Sequence, residues 1–291
     1  MTRRRLHIKV SRSCNNNCLF CLDDRGLRTD VTVEEVRTLL EKNRDLGEML
    51  FTCGEPTLHP QLPEFIEMAR EAGYRSIGLV TNGRRLSYPG YCEKILACGL
   101  SELTVSIHGS SARVHDAVTR VKESFDQTVS GLRNAAARKS RFGLRLVTST
   151  VVTARNLGHL PEILPFLSGL GVDTMVLNVV EPSGEARRRF ERLAPPYREL
   201  AAGIGKALRD FPGRSKVVVE GLPFCLCEGF LEAAGLREEI HLLEGKELKA
   251  LPPDRFHVKT TACTGCRVSH LCPGIFKAYA VSRGTSELRK L

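Results

Sequence analysis

Tryptophan is absent from the 291 residues, and aromatic side chains make up only 6% of them. A chain so poor in flat rings offers no obvious platform for stacked bases, which argues against nucleic-acid binding despite a formal net charge of +10. No apolar run is long enough to span a bilayer. The basic stretch Met1 to Arg5 leads into Leu6 to Val10, which is too short and too mixed for the apolar core of a signal peptide. Internal repeats and low-complexity segments are also missing. These absences together lead us to expect a cytoplasmic protein with no membrane partner.

What is present is more specific. Hydrophobic residues form 42% of the chain, enough for one large barrel or two domains. Lys and Arg number 43 against 33 Asp and Glu. That balance suits an anionic partner such as an acidic peptide, a nucleotide or RNA, although many basic proteins bind no nucleic acid. There are eleven cysteines, clustered at ligand spacings. Such clustering fits a reducing compartment better than a disulfide framework does.

Cys14-Asn15-Asn16-Asn17-Cys18-Leu19-Phe20-Cys21 places three thiols at the spacing CxxxCxxC. Thiolates select iron–sulfur clusters, zinc or copper. A cubane cluster has four irons, so three protein ligands leave one iron open to another molecule. A partial zinc site is the plainer alternative, though zinc pairs are usually CxxC or CxxxxC. The spacing, Phe20 and the position just after an apparent strand resemble the radical S-adenosylmethionine (radical SAM) superfamily. The resemblance implies a [4Fe-4S] cluster on Cys14, Cys18 and Cys21, whose open iron chelates the amino and carboxylate groups of S-adenosyl-L-methionine.

Alternating and glycine-punctuated segments follow along the chain. Strands are predicted at Leu6 to Val10, Met49 to Thr52, Ser76 to Thr81, Leu103 to Ile107, Leu144 to Thr153 and Thr174 to Val180. Helices are predicted between them, the first starting at a Thr32/Glu35 capping box and running to Gly47. Six strand–helix units argue for parallel strands with right-handed crossovers. The fold class expected is α/β, a partial (β/α)6 TIM-like barrel with a small C-terminal cysteine-rich auxiliary cluster domain. A doubly wound sheet is the runner-up. Val217 to Glu220 could form a further strand. From Gly221 the composition changes to loops and cysteines, so the core is placed at residues 5–220 and the second domain at 221–291. No peptide-binding winged helix is expected ahead of the core.

Phe51-Thr52-Cys53-Gly54-Glu55-Pro56-Thr57 resembles the superfamily's Gly-Gly-Glu-Pro motif, with Cys53 in place of the first glycine. The resemblance implies that Cys53, Gly54 and Glu55 bind the cofactor's amino group through backbone carbonyls and ligate no metal. It also places Thr81, Ser106, Ser149 and Val180, at later strand ends, against the ribose, carboxylate and adenine. Ordinary turn chemistry would explain the same residues. His108, His115 and Asp116 invite an acid–base role. His115-Asp116-Ala117-Val118-Thr119 is instead expected to shape the loop after the fourth strand, and none of the three is assigned as catalytic.

Cys263, Cys266 and Cys272 form CxxC-x5-C, with Cys225 and Cys227 upstream. This resembles part of the SPASM and twitch extensions that hold auxiliary clusters. The full SPASM pattern would need a cysteine at Phe276, so one auxiliary [4Fe-4S] cluster is expected rather than two. Cys225, after Pro223-Phe224, is taken as the fourth ligand over Cys227. A four-cysteine zinc site fits the same spacing. Cys92 and Cys98 read as small core residues.

The resemblance implies an enzyme, a radical SAM oxidoreductase or maturase. It would cleave S-adenosylmethionine reductively to a 5′-deoxyadenosyl radical and take a hydrogen atom from a substrate. An electron donor such as flavodoxin or ferredoxin is implied as a partner. A peptide substrate, matured by modification, is the preferred expectation. A small molecule in cofactor or natural-product biosynthesis is the alternative, and a zinc-stabilised nucleic-acid-binding module is the reading from another class.

Overall fold

The computed structural model describes residues 3–22, 30–235, 238–244, 247–251 and 255–291. Of the basic stretch at the start, Met1 and Thr2 lie outside the described residues. Seven strands, β1 (Arg3–Lys9), β2 (Glu48–Thr52), β3 (Ser76–Thr81), β4 (Glu102–Ser106), β5 (Arg145–Val152), β6 (Thr174–Val179) and β7 (Lys216–Glu220), lie side by side in chain order. Each neighbouring pair is parallel. A doubly wound sheet would reverse its order at a switch point. Among these seven strands the order never reverses, so they curl one way into a partial barrel, with its ligand end at the strand C-termini. The strand at Val217 to Glu220 is present as β7 and adds a seventh parallel member.

Side-chain alternation explains the curl. Leu6, Ile8, Met49, Phe51, Leu79, Leu103, Leu146 and Leu177 are buried on the face that meets the helices. Their neighbours in the strands, including Lys9, Thr52, Thr104, Ser106, Ser149 and Asn178, lie on the opposite, inward face and are only half-buried. The N-terminal end of that inner face is closed by charge pairing. Arg5 Nη1 stands 3.3 Å from Glu102 Oε1 and Arg5 Nε 3.7 Å from Glu48 Oε2, while Arg145 also pairs with Glu102.

The first helix, Val33–Lys42, carries the expected capping box, with Glu35 N donating to Thr32 Oγ1 at 3.2 Å. It stops earlier than Gly47. Asn43 Nδ2 bonds back to Leu39 O at 2.8 Å, and a 3₁₀ turn, Arg44–Leu46, carries the chain to Gly47 at φ 64°. Cys92 and Cys98 are buried in the core as read.

The segment after Gly221 is not simply loops and cysteines. A hairpin, β8 (Glu238–Glu244) and β9 (Glu247–Leu251), continues the main sheet. β8 pairs in parallel with β1, from Arg3↔Glu238 to His7↔Leu242. Without it β1 would be an open edge with unpaired backbone groups. Beyond the hairpin, β10 (His257–Val258) and β11 (Ile275–Phe276) form a small antiparallel ladder, and the helix Lys277–Arg283 follows.

Candidate functional site

The cysteine loop leaves the C-terminal end of β1 and is strapped down along its length. Asn17 N donates to Thr119 O and Leu19 N to Val118 O, both at 3.0 Å. The stretch at His115 to Thr119 is therefore more than a loop-shaping element. It belongs to a helix, Ala112–Thr119, whose last carbonyls receive the cysteine loop. Arg120 holds Asn17, Arg84 holds Asn15 O and Asn16 Oδ1, and Asn82 Nδ2 donates to Asn15 Oδ1 at 2.6 Å. Cys14 is exposed and Cys18 and Cys21 are half-buried. Asn16 N donates to Cys14 Sγ at 3.4 Å. Three accessible thiols on one restrained loop, one already accepting an N–H, fit the ligand set of a cubane with one open corner. Among the described residues, no three His, Cys, Asp or Glu side chains gather as ligands of a single ion.

The turn after β2 presses on this loop. Cys53 and Gly54 both have left-handed backbones, at φ 66° and 58°. A Cβ on Gly54 would run into the carbonyl of Ser11, so the close approach requires glycine. Glu55 N donates to Ser13 O at 2.7 Å. The Glu55 side chain is buried and accepts four hydrogen bonds, from Thr57 N (3.0 Å), Thr57 Oγ1 (2.6 Å), Thr81 Oγ1 (2.5 Å) and Asn82 N (2.7 Å). Burial raises its pKa, and these donors oppose the rise. The carboxylate thus ties the ends of β2 and β3 together.

The remaining strand-end residues fall into two groups. Thr81 is buried, and its hydroxyl is engaged by Glu55 and by Gly83 N at 3.0 Å. Val180 is buried as well. Ser106 and Ser149 are register partners on the half-buried inner face, and Ser149 Oγ accepts from Asn178 Nδ2 at 3.0 Å. Asn178 went unnoticed in the sequence, although it lies on the same face of β6 as Val176. The histidines are engaged inside. His108 N donates to His115 Nδ1 at 3.1 Å, and Val151 N to His108 Nδ1 at 3.3 Å. Burial lowers both pKa values, that of His115 to about 4. The edge of Phe20 meets the His108 ring at 4.8 Å. Asp116 caps the helix Ser124–Ala136 by accepting from Ser124 Oγ and Phe125 N.

At the other end of the chain, Cys225, Cys263, Cys266 and Cys272 line one cavity, together with Pro223 and Lys259. Phe224 N and Gly274 N donate to Cys272 Sγ at 3.3 and 3.4 Å. Backbone N–H groups, that of Leu291 foremost, lower the Cys266 pKa with help from Lys290, whereas burial raises that of Cys225. Cys227 does not line the cavity. Its Sγ donates to Pro223 O at 3.6 Å, and burial pushes its pKa up to about 12. Four thiols around one cavity, with Cys272 accepting two backbone N–H groups and Cys266 favoured as a thiolate, fit a fully protein-ligated cluster.

A third segment meets the cysteine loop from the end of β6. Glu185 N donates to Cys21 O at 2.9 Å, and a Cβ on Gly184 would collide with that same carbonyl. The following residues, Arg187 to Arg189 and Arg192, are exposed and line a groove with Pro182 and Phe190.

Comparison with known proteins agrees with this geometry. The family described as "Radical SAM superfamily" matches residues 8–164, more than half of the chain. A probable GTP 3′,8-cyclase from Sulfurisphaera tokodaii is 27% identical over 210 residues, covering 70% of this chain and 63% of that protein. An AdoMet-dependent heme synthase from Methanosarcina barkeri is 28% identical over 200 residues, 66% of this chain and 55% of that protein. The chain thus spans less than two thirds of the length of these curated relatives. Among solved structures, Streptococcus suis SuiB bound to its precursor peptide SuiA superposes with a TM-score of 0.67 at 13% identity, covering 100% of this chain and 75% of that one. The enzyme anSMEcpe, with bound AdoMet and the Cp18Cys peptide, superposes with a TM-score of 0.66 at 15% identity, covering 100% of this chain and 93% of that one. The cysteine loop, the turn pressed against it and the match from residue 8 to 164 place the chain in the radical SAM superfamily.

Proposed function

We propose that this enzyme uses a [4Fe-4S] cluster on Cys14, Cys18 and Cys21 to cleave S-adenosylmethionine and take a hydrogen atom from a peptide substrate held at the barrel mouth. When bound, the cluster and S-adenosylmethionine supply one-electron cleavage to a carbon radical that abstracts a hydrogen atom. The chain's own part is positioning. Arg84, Arg120 and Asn82 fix the cysteine loop, and Gly54 seats the Cys53-Gly54-Glu55 turn against it. Cys53 to Glu55 would offer backbone carbonyls to the amino group. Thr81 and Val180, being buried, would offer backbone or apolar contact, while Ser106 and Ser149 would offer hydroxyls from the inner face. The charge pairs of Arg5 close the far end of that face, which keeps the reacting space away from bulk water on that side.

The observation that carries the first step is three thiols on one clamped loop beside a left-handed Cys-Gly turn. The anaerobically purified protein should be brown and should convert S-adenosylmethionine to methionine and 5′-deoxyadenosine when reduced. Replacing Cys14, Cys18 and Cys21 together by Ala should abolish this, and retained cleavage would remove the proposal.

The peptide reading is supported by whole-chain superposition on SuiB and anSMEcpe, which reaches through the cysteine cavity of the segment 221–291. We propose that this segment acts as an auxiliary unit, with one cluster on Cys225, Cys263, Cys266 and Cys272 serving electron transfer or structure. The small-molecule reading is favoured by the names of the curated relatives, a GTP cyclase and a heme synthase. Incubation with peptides from short neighbouring reading frames, against GTP as a control, separates the two readings by which of them changes mass.

A further inference from the structure

The four-thiol cavity of the C-terminal segment is bordered by positive charge. Lys259 and Arg289 line it beside Cys225, Cys263, Cys266 and Cys272, and no Asp or Glu is among its described lining residues. Lys259 Nζ donates to the carbonyl of Ser269, which lies between Cys266 and Cys272. Lys290 Nζ sits over the turn between Cys263 and Cys266, where a Cβ on Gly265 would come within 3.0 Å of it. The main chain of Arg289 and Leu291 lies against Cys225 and Cys266, so the stretch from 288 to 291 wraps the cavity. Arg289 pairs with Glu228, which offsets most of its charge. Neither lysine has a carboxylate partner among the described residues.

Charge decides which oxidation state such a cavity favours. Four thiolates make a cubane anionic, and one-electron reduction adds a further negative charge without forming or breaking a bond. The walls supplied by Pro223, Val268 and Leu288 are apolar, and apolar surroundings oppose added charge. A cation near the sulfurs acts the other way, because it attracts the reduced state more than the oxidised one. We infer that Lys259 and Lys290 raise the reduction potential of the cluster on Cys225, Cys263, Cys266 and Cys272, fitting it to take up an electron. The inference rests on the auxiliary cluster proposed above. The two lysines act through the cluster and touch no substrate. Both are exposed, so solvent screens each of them and the effect of one charge is moderate. The hydrogen bond from Lys259 to Ser269 would also serve a purely structural clamp, and the test has to separate clamp from charge.

The experiment is a dithionite titration of the holoenzyme at controlled potential, followed by electron paramagnetic resonance. Added S-adenosylmethionine should alter the signal of the Cys14–Cys18–Cys21 site, so the signal that stays unchanged reports the C-terminal one. Lys259→Gln keeps a donor for Ser269 O but removes the charge. It should retain its iron and reduce about threefold less favourably, a midpoint lower by about 30 mV at 59 mV per tenfold. Lys259→Arg, which keeps the charge, should stay at the wild-type midpoint. The double variant with Lys290→Gln should fall by about tenfold, and its gap from wild type should narrow as salt rises from about 0.05 to 0.5 M. The midpoint of the first site should not move in any of them. An unchanged midpoint in an iron-replete double variant overturns the inference, and so does an equal fall in Lys259→Gln and Lys259→Arg. If Lys259→Gln loses its iron, Lys259 is a clamp, and Lys290→Gln alone must then show the threefold fall or the inference is overturned. Zinc in the wild-type cavity, or no second iron–sulfur signal, would instead remove the cluster on which the inference rests.

Discussion

Arg120 grips Asn17 at two points, with Nε donating to the main-chain oxygen at 2.7 Å and Nη2 to Oδ1 at 2.5 Å. The arginine sits at the left-handed C-cap of the helix Ala112–Thr119, at φ 58°. One residue thus ends a helix and holds the middle of the cysteine loop.

Arg120→Gly separates those two jobs. Glycine suits the backbone, so the melting temperature of the metal-free protein should hold or rise slightly. The clamp is lost, at a cost of about 1–2 kcal/mol in loop ordering. Iron should then leave the first site roughly tenfold faster under a chelator, followed by the matching loss of 5′-deoxyadenosine formation. An unchanged release rate would show that the loop does not depend on Arg120.

Cys53→Gly should do no harm. Cys53 holds φ 66°, which a side chain tolerates only at a cost of about 1–2 kcal/mol. Relief of that strain, less the extra freedom of glycine in the unfolded chain, should raise stability by about 0.5–1 kcal/mol. Iron content and cleavage should stay near wild type. A large loss of iron would identify Cys53 as a metal ligand.

The buried histidine pair makes stability depend on pH. The folded pKa of His115 lies at about 4, below the ordinary histidine value of 6.5, and burial also lowers that of His108. Neutral rings therefore stabilise the fold fully above about pH 6.5, where the unfolded chain is neutral too. Between 6.5 and about 4 the unfolded state takes up protons that the folded state refuses. Stability then falls as pH drops, by about 3 kcal/mol for His115 alone. His115→Asn keeps an acceptor for His108 N–H but does not titrate. Denaturant melts from pH 7.5 to 4.5 should show a shallower acid slope in this variant; identical slopes would mean that His115 does not stay neutral in the fold.

The two upstream cysteines of the C-terminal group should behave differently. In a background lacking Cys14, Cys18 and Cys21, about four irons should remain, the content of one cubane. Cys225→Ala should lose or destabilise them, since Cys225 lines the cavity. Cys227→Ala should keep them, because its thiol is buried against Pro223 O. Zinc in place of iron, or dependence on Cys227, would refute this ligand set.

The strands were legible because one buried face forces period two, as in Leu6 and Ile8 or Leu103 and Val105. The cysteine loop was legible because a ligand set must be spelled out in residue types. Its supports were not. Arg84 and Arg120 look like any surface charge until the fold brings them across about 69 and 103 positions of chain to Asn15 and Asn17. The hairpin β8–β9 was also hidden. The stretch is rich in Glu, Lys and Leu, which favour helices, yet β8 pairs with β1 and β9 with β8. The left-handed backbone at Cys53 left no mark beyond its resemblance to a glycine position.

The pairing of β1 with β8 also bears on how the molecule is made. β1 precedes its second neighbour, β8, by more than two hundred residues of chain. During that interval the strand that leads into the cysteine loop has one bare side, able to pair with another nascent chain. Such distant pairings form late. The strand that leads into the first three thiols therefore gains its second neighbour only once Glu238 to Leu242 has been made.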